Sequence, residues 1–332
     1  MKYFVILFLL IYQTFQFNGD NLNIDMENWM SGIPDDRKVL LINIPGAHDT
    51  AANEVLYGVE AFVQTQNATV PELLNFGIRR LDVRVTLREL ADDEYDPDLD
   101  LGTAHGQFDC YYYDEFNVLR NLTFKRILLD IKDFLEKNPT ETVIVWTQSE
   151  RGDSYANIKR AVELFEKIVG NIFVKYDKNL KLGDVRGKII STVYKTDSVD
   201  PEGNPIYHKG YDGGTDLEET HRKYIDKYYN SWEVNGELKI IEVKDFLSHY
   251  NFTIKDAEED FDKTIEKYPI NYSVSCTGEH VSIIPLPKVQ ADIVNPFLLQ
   301  YDFLSGYYYG WIDMDFANRP NVIRMVITNF LE

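Results

Sequence analysis

Residues Thr142 to Thr147 read TVIVWT, a continuous apolar run with neither charge nor polar alternation. A strand of this kind can be buried on both faces, which is the setting of a parallel sheet covered by helices. The segment before it supplies such a helix. Phe124, Ile127, Leu128, Ile131 and Leu135 recur at helical spacing. Thr123 is placed to cap the start, and Asn138-Pro139 to stop the helix. This helix–strand unit commits the chain to an α/β fold.

The rest of the chain repeats the pattern without a linker or an internal repeat. Strands are expected at Val39–Ile44, Ile78–Val85, Leu101–His105, Lys188–Val193, Lys239–Val243, Tyr272–Ser275 and Trp311–Phe316. Helices are expected at Val70–Phe76, from Ile158 to Val169, near Leu217–Tyr228, at Ile254–Tyr268, at Ile293–Tyr301 with an interruption at Pro296, and at Val322–Leu331. About eight strand–helix units in 332 residues suit a (β/α)8 TIM-type barrel forming a single domain, residues 26–332. The Gly-rich phosphate fingerprint of dinucleotide-binding sheets is absent.

Charge and the N-terminus narrow the function. A formal net charge of −20 argues against nucleic acid and against long-range attraction to anionic membranes. Lys2 followed by the apolar run Tyr3–Tyr12 has the length of a signal-peptide core and not of a membrane span. Residues 1–18 are therefore expected to be a signal peptide, and the protein secreted or lumenal. Glycosylation sequons at Asn67, Asn121, Asn251 and Asn271 fit that compartment. Cys110 and Cys276 can form one disulfide or remain two buried thiols.

In a barrel, chemistry sits where the strands end. IPGAHDT, Ile44–Thr50, is expected to leave the first strand in a Pro-Gly turn that presents His48 and Asp49. Arg84 is placed near the end of the second strand, His105 at the end of the third, and Asp315 at the end of the last. His208, His221, His249 and His280 fall in polar, loop-like stretches and read as bystanders. Two histidines can act as base and acid at the two ends of a displacement. An arginine fork suits a phosphate, and a carboxylate beside each histidine fixes its tautomer. This equipment fits metal-free phosphodiester cleavage. The competing metal site would use both histidines with Asp49 and Asp82, and Arg84 opposes it by repelling a cation.

The chain resembles phosphatidylinositol-specific phospholipase C in its bacterial, metal-independent form, and the related secreted X-domain-only proteins. The resemblance rests on NWMSGIPDD, IPGAHDT, FGIRRLDVRV, TAHG, TFKRILLDIKDFLEKNPTETVIV, LGDVRGKII, IVNP and GWIDMDF, in that order from Asn28 to Phe316. It implies a distorted TIM barrel acting as a monomer on a phospholipid at a membrane interface, with no cofactor and no metal. It implies His48 as general base, His105 as general acid, Asp315 orienting His48, Asp49 pairing with His105, and Arg84 on the phosphoryl oxygens. The family's head-group pocket is altered here. Its lysine position is Gln148, its arginine position Tyr194 and its tyrosine position Leu247, while Asp245 keeps its aspartate. Two alternatives stand beside this reading: a non-catalytic secreted head-group-binding protein, and a metal-dependent glycerophosphodiesterase-like enzyme. The acidic run Asp92–Asp100 would oppose docking on anionic lipid. Tyr111–Tyr113 are placed to touch an interface, and Tyr307–Tyr309 to pack.

Overall fold

The structure, a computed structural model, describes residues 24–89, 96–193, 243–244, 246–267, 271–273 and 286–330. The expected signal segment, Cys276, Tyr194, Asp245, the Leu217–Tyr228 helix and three of the four bystander histidines lie outside the described residues. His249 is exposed.

The centre is a parallel sheet. The strands of the described residues are β1 (Ile44–Ala47), β2 (Arg80–Leu87), β3 (Leu101–His105), β4 (Phe108–Asp109), β5 (Tyr111–Tyr113), β6 (Leu119–Asn121), β7 (Thr142–Ser149), β8 (Phe173–Lys175), β9 (Lys188–Val193), β10 (Asn271–Ser273) and β11 (Trp311–Met314), of which β5 and β6 pair with each other as a separate antiparallel sheet. The order β10-β11-β1-β2-β7-β9-β8 is parallel throughout. Thus the first and last strands are neighbours, as a closing barrel requires. Helices α1 (Val70–Phe76), α2 (Phe124–Lys137), α3 (Ser154–Leu164), α4 (Ile254–Glu259), α5 (Phe261–Lys267), α6 (Pro287–Gln300) and α7 (Arg319–Val326) intervene.

Strong local signals fold as read. The α2 start is capped by Thr123, whose side chain accepts from the Arg126 amide, and Asn138 ends it. Its apolar stripe, Phe124 to Leu135, is buried. Residues 142–146 of β7 are likewise buried. Thr69 and Glu72 form a capping box at α1, and Gly77 closes it with a φ of 106°. Tyr308 and Tyr309 are buried, as packing residues should be.

Five expectations need correction. The first strand is not Val39–Ile44: Val39–Leu41 is a single 3-10 turn, and IPGA itself is the strand. Pro45 is tolerated because it lies near the strand's start, where β2 has not yet begun to pair. The Leu101–His105 strand runs antiparallel to β2, with Val85 opposite Thr103. A parallel return needs a crossover of a dozen or more residues, usually helical. The described part of this connection holds only the short turn Pro97–Leu99. Pro296 does not interrupt its helix, since α6 runs through it. The charged segment from Ile254 splits at Asp260 into α4 and α5. Residues 239–242 are not described, and Val243 is helical, so no strand ends there.

Beneath the sheet, the chain before β1 is locked to its bottom by Arg79, which has no solvent exposure. Its guanidinium pairs with buried Glu141 at 2.9 Å and donates to the carbonyls of Leu74, Ile78, Met26 and Glu27. Trp29 reinforces the seal by donating to the Gly77 carbonyl at 2.9 Å.

Candidate active site

The inward-facing residues of three adjacent strands form layers, because side chains alternate across a parallel sheet. Register aligns Gly46 with Arg80 on one side and Asp313 on the other. Two residues further along each strand come Asp82, His48 and Asp315. Above them β2 contributes Arg84, whose register partner on β7 is Gln148.

His48 is buried beside Asp315, with Nδ1 2.6 Å from a carboxylate oxygen. On its other side Arg84 Nη2 lies 2.8 Å from His48 Nε2. A guanidinium can only donate, so these partners assign the proton to Nδ1 and the lone pair to Nε2. The imidazole is thus a neutral base aimed at an arginine. The same fork spreads over three carboxylates at longer range: Asp82 at 3.5 Å, Glu150 at 3.5 Å and Asp49 at 3.6 Å.

His105 reaches the same place by a different route. The antiparallel return of β3 carries it back toward Asp49, where Nδ1 donates to the Val63 carbonyl at 2.7 Å and lies 3.5 Å from Asp49 Oδ2. Its Nε2 is left as the atom available for exchange with a ligand.

The carboxylates are shifted in opposite directions. Asp49 is fully buried, and its side chain accepts no hydrogen bond among the described residues. Burial pushes its pKa up to about 6, with Arg84 and His105 pulling the other way. Asp82 is also desolvated, but Arg84, His48 and Arg80, together with the Asp49 amide, hold it below the usual range. Asp49 takes a left-handed backbone, φ 39°, a conformation Asp tolerates. Its amide donates to Asp82 Oδ2 at 3.1 Å, which anchors the turn to β2.

Sequence reasoning does not single out the residues that fix this geometry. Gln66 donates to the carbonyls of His48 and Met314 and accepts from the Ala317 amide, tying the His48 loop to the loop after β11. Asn295 donates to the Asp315 and Phe316 carbonyls at 3.1 Å, beside the strained φ of 47° at Phe316. Glu150 accepts from the Gly106 amide at 2.6 Å and from Gln148 at 3.3 Å. None follows a spacing rule, since each acts across the fold.

Of the expected head-group residues, Gln148 faces this cluster beside Glu150, whereas Leu247 is buried in the core. Cys110 is buried and forms no disulfide among the described residues, and burial raises the pKa of its thiol. Part of the acidic loop is neutralised: Asp98 pairs with Arg160 and Lys167, Asp100 with Arg160, and Asp96 with Lys125. A metal ion at His48 would have to displace Arg84. Among the described residues no group of three His, Cys, Asp or Glu side chains is arranged to hold one.

No family model matches the chain. In sequence it is similar to the 1-phosphatidylinositol phosphodiesterase of Listeria monocytogenes, 28% identical over 207 residues, covering 55% of this chain and 57% of that protein. The Staphylococcus aureus enzyme of the same name is 25% identical over 180 residues, 52% of each chain. The chain thus spans about half the length of the curated relatives it matches. In structure, the phosphatidylinositol-specific phospholipase C of Listeria monocytogenes superposes with a TM-score of 0.62 at 20% identity, over 93% of this chain and all of that one. A single-residue mutant of the Staphylococcus aureus phosphatidylinositol-specific phospholipase C also gives 0.62, at 16% identity over 93% of this chain and 98% of that one. Over half its length in sequence, and nearly all of it in fold, the chain resembles bacterial phosphatidylinositol-specific phospholipase C, and its fold is the distorted TIM barrel of those proteins.

Proposed function

We propose that the protein is a metal-independent phosphodiesterase that cleaves phosphatidylinositol-type lipids by paired histidine acid–base catalysis. The observation that carries this reading is the His48 imidazole held between Asp315 at 2.6 Å and Arg84 at 2.8 Å. With substrate bound, Arg84 would turn from His48 Nε2 to the phosphoryl oxygens, freeing the lone pair. His48 then takes the proton of the inositol 2-hydroxyl as that oxygen bonds to phosphorus. The bond from phosphorus to the glycerol oxygen breaks, and His105 gives its Nε2 proton to that oxygen. The products are diacylglycerol and a cyclic inositol phosphate. Asp315 supports the charge that develops on His48, and Asp49 the imidazolium of His105. The resemblance to enzymes named for this activity supports the choice of substrate.

The lipid surface would meet the mouth through apolar residues near His105. Leu56, Tyr57, Phe62, Phe108, Tyr113 and Phe116 are all exposed, Tyr57 at 98% and Phe116 at 77%. The loop holding the first three is tied to β5 by the Glu54–Tyr111 bridge and to His105 through Val63. Residues 1–18 would direct secretion and be removed, leaving a monomeric domain over 26–332.

The test is turnover of phosphatidylinositol vesicles with EDTA present, followed by phosphorus NMR. A cyclic phosphodiester product that disappears in the His48→Ala and His105→Ala variants is expected. Turnover that needs added metal, or none of any phosphodiester, overturns the proposal.

A further inference from the structure

Directly under the catalytic layer lies a layer that a barrel interior does not need. TIM-barrel cores are filled mainly by branched apolar residues, yet Arg80 and Asp313 form a buried ion pair there, 2% and 4% exposed at the side chain. Arg80 also lies 4.7 Å from the Trp146 ring. The pair spans β2 and β11 with only Gly46 of β1 between them, the register partner of both. A Cβ on Gly46 would fall 1.9 Å from Asp313 Oδ1. Gly46 has no left-handed φ to explain it, so its missing side chain is the space that the Asp313 carboxylate occupies.

A buried pair of this kind adds little stability over apolar residues of the same volume. Its position gives it another use. Arg80 is two residues from Asp82 on the same face of β2, and Asp313 two residues from Asp315 on the same face of β11. Burial raises the pKa of Asp313 while the Arg80 guanidinium beside it pulls the other way, with Asp82 and His48 also acting on it; Arg80 in turn helps hold Asp82 ionised. We propose that the Arg80–Asp313 pair, admitted by Gly46, is a positioning element that sets the protonation of His48 from beneath. Its two charges oppose each other at the imidazole, so neither can be removed without shifting the base.

His48 is faced by Arg80, Asp82 and Arg84 from β2, Asp313 and Asp315 from β11, Asp49 from its own loop, His105 from the end of β3 and Glu150 from beyond β7. Against that constant background the two partners give opposite signs. Asp313→Asn strands the Arg80 cation, so His48 protonates at lower pH. Arg80→Met removes a cation, so His48 protonates at higher pH. Shifts of about 0.5 to 1 unit are expected in each direction.

The assignment of the acid limb of the pH–rate profile to His48 rests on the proposed phosphodiesterase reading. NMR titration of the His48 ring in the ligand-free protein does not, so it separates failure of this inference from failure of that one. Opposite shifts in the two variants, by NMR and in the acid limb of kcat/KM, are expected. Shifts of the same sign, or an unmoved His48 with reduced turnover, overturn the inference and leave the pair a packing element. Should Arg80→Met not fold, Arg80→Gln, whose amide can still donate to the Asp313 carboxylate, takes its place; the same upward His48 shift is expected, and an unmoved or downward shift overturns the inference. Gly46→Ala should lower the yield of folded protein, and adding Arg80→Met together with Asp313→Ala, which clears the carboxylate without stranding a buried charge, should restore it.

Discussion

Arg79 and Arg84 lie five residues apart, and the protein treats them in opposite ways. Arg79, just before β2, is fully buried and satisfied. It pairs with Glu141 at 2.9 Å and donates to four backbone carbonyls. Arg84, at the mouth, is 16% exposed, lies 2.8 Å from His48 and stands 3.5 Å or more from the carboxylates of Asp82, Glu150 and Asp49. The first arrangement costs much to break because it leaves a buried charge behind. On the proposed reading, the second keeps a cation poised between neighbours for a substrate phosphate to take over. The arginine just before β2 is thus a structural one, and the arginine at its mouth is, on the proposed reading, the one that meets substrate.

Catalysis should separate the two most strongly. His48→Ala and His105→Ala should each lower turnover of phosphatidylinositol by about 10²- to 10⁴-fold, with thermal unfolding close to wild type. Arg84→Met should cost about 10²- to 10³-fold in kcat and little stability. Arg79→Met should do the reverse and destabilise the fold by about 3–5 kcal/mol, read by urea denaturation. If the Arg84 variant unfolds like the Arg79 variant, the two arginines are the same kind of group and the contrast fails.

Asp49, beside Arg84, carries a smaller effect. Its pKa is pushed up to about 6 in the fold, against about 4 in an unfolded chain. Between those values the folded state binds more protons, so this group's contribution to stability falls as pH rises from about 4 to 6. Asp49→Asn removes that penalty. Its stability relative to wild type should grow across this window, reaching about 2–3 kcal/mol near pH 7, while its activity drops. A constant difference between pH 4 and pH 7 would show that burial does not hold Asp49 at a cost. Smallest of all, Phe116→Ser and Tyr57→Ser should weaken sedimentation with phosphatidylinositol vesicles by a few-fold and leave unfolding within about 0.5 kcal/mol.

Elements with local signals are legible in the chain alone. The α2 stripe, the Thr123 cap, the apolar run of β7 and the alternation of β2 fold where the local pattern puts them, because helix and strand faces are set by neighbours in the chain. The cluster of His48, Asp49, Arg84, His105 and Asp315 is also legible, since strand-end chemistry follows once a barrel is assumed.

How these groups meet depends on contacts between distant segments. The direction of β3 is hidden from the sequence because nothing local distinguishes a short parallel strand from an antiparallel return. The strand character of IPGA is masked by Pro45 and Gly46, which read as a turn until β11 is laid beside them. Gln66, Asn295, Glu150 and the Arg80–Asp313 pair draw their roles from partners far along the chain. IPGAHDT therefore carries two instructions: His48 can be read from sequence, whereas the reason for Gly46 appears only when Asp313 occupies the space that its side chain would fill.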